Sequence, residues 1–374
     1  MLRLLKLTFL TLSVLIGAFI FWQVQQRPTQ ILPLPYQFAD NHSYENIQKA
    51  QNAHILILGD RMAESLNPYL DMVNNQLAQS LREPLRIFNW AKTGEGLHRT
   101  LAKVRALQKL PPLVLYLGGS QEFEEQRFYL KDAAVIAENF LRFENDILQS
   151  IILTYPASSR LIYQPHDMLK LDEFHPIQGF DSDQKTQRLS TITYQVIRYE
   201  LQDLVDKLTP ENQKLILSTA PINLDIEPKK VCEHTQTRTQ QSEQSDIQAL
   251  LKAGRSKVAY TRAKELANNS LANALNHYLK GQAAKKMGRL SEARASLQLA
   301  AVYDCALWRS NMAINNLITQ TAKRDDLYFI DFDFLVNQNF GRDEVFLNKL
   351  YPQNVYYQKF MQEFINIVRQ VFQL

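Results

Sequence analysis

Gly59-Asp60-Arg61 follows a short apolar run, His54-Ile55-Leu56-Ile57-Leu58, and sets a carboxylate beside a guanidinium where a helical stretch begins. A guanidinium cannot attack an acyl carbon. At a helix N-terminus it can bind a carboxylate, phosphate or sulfate through its fork and the helix amides, or fill a cavity by pairing with Asp60 or Glu122. Nucleophile and base chemistry would fall to Ser65, one helical turn past Arg61, to Ser120 and to His98, all near the same segments. Asp172-Glu173-Phe174-His175-Pro176 spaces a carboxylate three residues from an imidazole, but it precedes the fourth apolar run. All seven histidines lie at or before His277, so the C-terminal stretch Asn348-Lys349-Leu350-Tyr351-Pro352 offers a carboxamide and a phenol. Asp60, His98 and Glu122 lack metal-ligand spacing, and no cofactor or metal is expected.

The elements that must position these residues are short apolar runs alternating with helical patterns, the mark of a parallel sheet with crossover helices. Strands are expected over residues 54–58, 85–89, 113–117, 214–218 and 327–330, with helices over 62–80 and 354–372, the last presenting Phe360, Phe364, Ile367 and Val371 on one side. Five strands with helices on both faces predict an α/β fold, a flavodoxin-like three-layer parallel sheet. Its ligands bind at the carboxyl edge, where Asp60, Asn89 and Gly118 fall. Residues 124–191 carry no firm periodicity. Residues 233–304 read as a polar helical insert containing one tetratricopeptide-type hairpin: Tyr278 and Gly281 on a first helix, a turn at Gly288-Arg289, then Ala293, Leu297 and Ala300. One such repeat cannot bury itself, so it must lie on the sheet or on a partner. Cys232 and Cys305 bracket the insert and are compatible with a disulfide or with two buried thiols.

At 374 residues and 45% hydrophobic content the chain can bury a full core. A net charge of +4 with no zinc-finger, Walker or RNA-binding motif argues against nucleic acid. Charge is uneven: between Lys252 and Arg294 ten bases face only Glu265 and Glu292, a solvated face or a surface for an anionic glycan, lipid headgroups or an acidic envelope partner. Residues 4–22 are almost wholly apolar, with Arg3 and Lys6 at the start and Trp22 at the end. That stretch is long enough for an uncleaved signal anchor in the inner membrane, single-pass, with the remaining body periplasmic or extracytoplasmic. Residues 24–53, rich in Pro, Gln and Asn, read as an extended tether.

Taken together, the blocks resemble those of SGNH (GDSL-type) hydrolases, in particular a bacterial subgroup with tetratricopeptide-like inserts. Gly59-Asp60-Arg61 resembles the nucleophile block Gly-Asp-Ser, and Ile87-Phe88-Asn89-Trp90-Ala91 resembles the second block, whose Asn-x-Gly supplies an oxyanion amide. Tyr116-Leu117-Gly118-Gly119-Ser120-Gln121-Glu122-Phe123 is similar to the third block, and Ser218 to Leu224 and Trp308-Arg309 to Asn315 resemble later segments. Against that pattern Ser becomes Arg61, the base His becomes Tyr351, its Asp becomes Asn348, the oxyanion Gly becomes Ala91 and the oxyanion Asn is best matched by Gln121. Nucleophile and base are therefore missing.

The expected organisation is a transmembrane anchor at 1–23, a linker at 24–53, an SGNH-like domain at 54–232 and 305–374, and the helical insert at 233–304. The resemblance implies no catalytic residue, with Arg61, Asn348 and Tyr351 as degenerate positions, and a pocket of Asp60, Arg61, Asn89, Ala91, Gly119, Gln121, Glu122 and Arg309. The function it implies is a non-hydrolytic binding or assembly component of the cell envelope. The alternative is an esterase or O-acyltransferase acting on envelope glycans through a non-standard arrangement.

Overall fold

The computed structural model describes residues 2–25, 36–37, 41–77, 84–125, 169–170, 183–209, 213–232, 236–306 and 308–373. Most of 124–191, including the Asp172 to Pro176 string, lies outside the described residues. Five parallel strands form one sheet: β1 (Ile55–Gly59), β2 (Ile87–Asn89), β3 (Leu113–Leu117), β4 (Lys214–Ser218) and β5 (Tyr328–Ile330), in the order β2-β1-β3-β4-β5. All five expected strands are present, and the winding direction reverses between β1 and β3. Residues of β1 and β3 are buried on both faces, which is why these strands are continuously apolar and do not alternate. Tyr36–Gln37 pairs separately with Leu169–Lys170.

The helices are α1 (Leu2–Gln25), α2 (Asn41–Asn52), α3 (Arg61–Glu64), α4 (Leu70–Leu77), α5 (Leu97–Arg105), α6 (Asp183–Leu208), α7 (Arg238–Lys252), α8 (Ser256–Asn269), α9 (Ala274–Lys286), α10 (Leu290–Val302), α11 (Met312–Arg324), α12 (Phe332–Asn337) and α13 (Asn354–Phe372). One sheet face, with Ile55, Ile57, Leu115 and Ile216, is buried with Phe360, Phe364 and Val368 of α13. The other, with Leu56, Leu58, Val114 and Leu217, is buried with Leu101 of α5, Leu201 of α6 and Ile318 of α11. The result is a three-layer α/β sandwich. The single helix expected over 62–80 is instead α3, a 3₁₀ turn at Asn67–Tyr69 and α4, because Pro68 enters at the start of that turn and cannot donate an amide. The stretch Asn41–Asn52 of the expected tether is also helix: α2 buries Ala50 in the core under the second face and packs Ile47 against it.

The insert holds two hairpins where one was expected. Helices α7 to α10 share a core of Ile247, Ala263, Leu279, Ala283 and Leu297, to which Ile222 and Phe340 of the sheet domain contribute. Both hairpins turn on a glycine at φ +74°, Gly254 and Gly288, a region that disfavours side chains. Cys232 and Cys305 form a disulfide, with Cα atoms 5.4 Å apart and a sequence separation of 73.

Helix α1 carries Phe9, Leu10, Leu12, Val14, Leu15 and Ile16 exposed. Its described side chains are Lys6 and residues 8–18, and among the described residues no helix is long and apolar enough to cross a membrane.

Candidate functional site

The carboxyl ends of β1 and β3 meet at the point where the winding reverses, which is the usual ligand position in such a sheet. Gly59 holds φ +134°, and a Cβ there would sit 1.9 Å from Leu117 O, so only glycine lets β1 end this close to β3. Asp60 then caps α3. Its Oδ1 accepts from Met62 N at 2.8 Å, and its Oδ2 accepts from both the amide and the hydroxyl of Ser120 at 2.7 Å. Burial raises the Asp60 carboxyl above its ordinary range, opposed by these hydrogen bonds and by Arg61.

Arg61 is 7% exposed. Its Nη2 donates to Glu124 Oε2 at 3.0 Å, to Trp308 O at 3.2 Å and to Ser120 O at 3.3 Å. The expected pairing thus occurs, but the carboxylate is Glu124 and not Asp60 or Glu122. The reason is that Glu122 is spent elsewhere: it accepts from Leu97 N at the start of α5 and from the Tyr116 hydroxyl at 3.0 Å.

Gln121 does something the sequence did not suggest. Its Oε1 accepts from Gly94 N at 2.7 Å and Arg61 N at 3.3 Å, while its Nε2 donates to Glu124 Oε2 at 3.1 Å. Two backbone amides therefore converge on one oxygen, the geometry that stabilises an oxyanion, and a side-chain carbonyl of the same chain already occupies it. Only this orientation of the amide satisfies both amide donors and the carboxylate. The second amide belongs to Gly94. The amide of Ala91, expected in that role, instead donates to Asn89 Oδ1 at 3.1 Å, and Asn89 Nδ2 donates to Ala63 O.

The remaining predicted residues divide. Gly119, at φ +103°, lets the β3 loop lie on Ile314, to which a Cβ would come within 2.9 Å. Arg309 clamps the Asn223–Ile226 backbone through Nη1 and Nη2. Asn348 Oδ1 accepts from Leu350 N and Tyr351 N, tying its own loop, and Tyr351 lies against the apolar cluster of the first sheet face. No hydrogen bond among the described residues joins Arg61 to Tyr351 or Asn348. Ser65 donates to Met62 O at 2.7 Å and lies 3.0 Å from Tyr357 Oη, Ser120 donates to Asp60, and the His98 ring pairs with Glu200, so each has a different partner. Arg61 Nε, Trp308 Nε1 and Arg309 Nε are buried without an acceptor.

Under the cleft lies a buried charged layer that sequence reading missed. Lys103 pairs with Glu95 and donates to Trp90 O, and Glu125 accepts from His98 N and Arg99 N. Burial pushes the Glu95 carboxyl up to about 7 against the pull of Lys103 and Arg99. On a lone helix, Arg99 and Lys103 at i, i+4 read as a solvated face; here Trp90, Glu95 and Glu125 meet these residues, while α6 covers the neighbouring face through the His98–Glu200 and Arg105–Asp203 pairs. Among the described residues no group of three His, Cys, Asp or Glu is placed to hold a metal ion. Comparison with protein-family models, curated proteins and solved structures gives no match for this chain.

Proposed function

We propose that this protein is an SGNH-like, membrane-anchored and exported component of the cell envelope that binds or assembles and does not hydrolyse esters. The observation that carries the reading is the pair of amides at Arg61 and Gly94 filled by Gln121 Oε1, with a tethered guanidinium where the attacking hydroxyl would stand. The strand order, that of flavodoxin-like sheets, supports the SGNH-like assignment. The anchor is supported by α1, where the hydroxyls of Thr11 and Ser13 donate back to Thr8 O and Phe9 O, which satisfies them without water as a bilayer requires. The Cys232–Cys305 disulfide supports export to an oxidising compartment.

An anionic envelope glycan or an acidic protein is the partner class that fits the insert. Lys252, Arg255, Lys257, Lys264, Lys286 and Arg289 are exposed on it, and the buried donors beside Arg61 and Arg309 lack acceptors. The test is fluorophosphonate labelling and acetyl-ester turnover with the full chain in detergent. Neither should exceed background; labelling abolished by Ser65→Ala or Ser120→Ala would overturn the reading in favour of an esterase or acyltransferase.

A further inference from the structure

A polar recess opens at the carboxyl edge, away from Arg61, where Thr219 follows β4 and Asp331 follows β5. It measures about 220 Å³ and lies between α10 of the insert, α11 and α12. That is below the roughly 300 Å³ at which sites for drug-sized ligands begin, so it suits one ring-sized group. Its floor is preorganised. Asp331 Oδ1 accepts from the Thr219 hydroxyl at 2.8 Å and from Phe334 N at 3.0 Å. Asp333 Oδ1 accepts from Ile222 N and Asn337 Nδ2, each at 2.8 Å. Arg294 reaches across from the insert to donate to Asn337 O. One group in this wall is unsatisfied: Asn337 is 3% exposed, its Nδ2 donates twice, and its Oδ1 accepts nothing.

The charges of the wall select the ligand class. The Asp331 carboxylate disfavours an anion and the Arg294 guanidinium a cation, while Asp333, whose carboxyl is pushed up to about 7 by burial, carries only part of a charge. Phe334 lines the same recess with 56% of its surface exposed, offering an aromatic face to an apolar ring face. We propose that this recess binds a single neutral sugar unit, with Asp331 and Arg294 on its hydroxyls and Phe334 against its ring. The site deepens the reading of the protein as a non-hydrolytic glycan binder, and rests on it for its biological sense though not for its geometry.

The experiment uses the full chain in a sugar-free detergent such as a dodecyl amine oxide. Saturation-transfer NMR is recorded with methyl glucoside, methyl galactoside and N-acetylglucosamine as probes, and with tetramethylammonium and methyl sulfate as charged controls. At least one neutral sugar should saturate, and its affinity should fall about tenfold in Asp331→Asn, the loss of one charge-assisted hydrogen bond, and also in Phe334→Ala. Arg61→Ala, away from the recess, should leave it unchanged. The Asn variant keeps the oxygen that caps α12, and Phe334 is a surface residue, so both variants should fold; circular dichroism on the same samples checks this. Saturation by none of the sugars, saturation only by a charged control, or sugar saturation that survives both variants overturns the site. Fluorophosphonate labelling of the same samples reads the absence of hydrolysis separately, so failure of the sugar site is distinguishable from failure of the non-hydrolytic reading.

Discussion

Gln121 is the residue on which the site turns, because one side-chain oxygen satisfies two backbone donors, Gly94 N and Arg61 N, that would otherwise lack this partner, while its Nε2 adds to the Arg61 contact on Glu124. A buried polar group left unpaired costs about 1–3 kcal/mol, more than the net worth of the bond itself. Gln121→Ala should therefore lower the unfolding free energy by about 2 kcal/mol in a urea titration with unchanged slope, whereas removing an exposed amide such as Gln362 should change it by less than about 0.5 kcal/mol. If the Gln121 variant unfolds like the wild type, the two amides find water and the cleft is open. The chemical identity of Asp60, Arg61 and Gln121 was readable from their sequence neighbours, since all three follow the ends of buried strands. Which oxygen meets which amide was not readable: Gly94 lies in a turn with φ +91° whose path no periodicity encodes, and Glu124 won the guanidinium only because Glu122 turns toward α5.

At the scale of elements, the buried strands and α13 could be read from the chain because their patterns are unbroken, while the insert hid half of itself. Gly254-Arg255 and Gly288-Arg289 are 34 residues apart, the period of tetratricopeptide repeats, and both glycines occupy the same left-handed turn. That spacing was a usable signal. It was masked because α7 is polar over most of its length, with Gln240, Gln241, Glu243 and Gln244 in its first turns, and its apolar side reduces to Ile247 and Leu251. Close helix approach in the second hairpin depends on Gly281: a Cβ there would lie 2.6 Å from Leu297 Cγ and 3.2 Å from Ala293 O, the latter a backbone atom that cannot step aside. Gly281→Ala should thus destabilise by about 1–3 kcal/mol through overpacking, despite alanine's better helix propensity. Leu297→Val, costly by itself in a buried position, should cost less in the Gly281→Ala background, giving a double-mutant coupling of about 0.5–3 kcal/mol. Strict additivity in thermal unfolding would mean that the two helices are not held by this contact.

The whole molecule is a sheet domain into which the insert is spliced between Cys232 and Cys305. Its base is fixed three ways: by the disulfide, by Cys305 N donating to Lys230 O at 2.9 Å, and by Asp304 accepting from Lys229 N and Lys230 N at 2.9 and 3.1 Å. Closing a loop with a sequence separation of 73 removes chain entropy from the unfolded state worth about 4 kcal/mol, an upper value if that state keeps residual structure. Because the cross-link surrounds all four insert helices, including the α10 wall of the sugar-sized recess, its loss should free the insert from the sheet before the sheet itself unfolds. Reduction with dithiothreitol should lower the urea midpoint. Hydrogen exchange should then rise first in α9 and α10, with β1 and β3 still protected, since those strands are buried on both faces. The same bond tests the route of the chain through the cell. Thiols persist in a reducing cytosol and disulfides in an oxidising envelope, so full-length protein expressed in a bacterium should resist alkylation in intact-mass analysis, while a chain lacking residues 2–25 should take two labels. Equal labelling of both forms would separate α1 from export and remove the anchor from the proposed function.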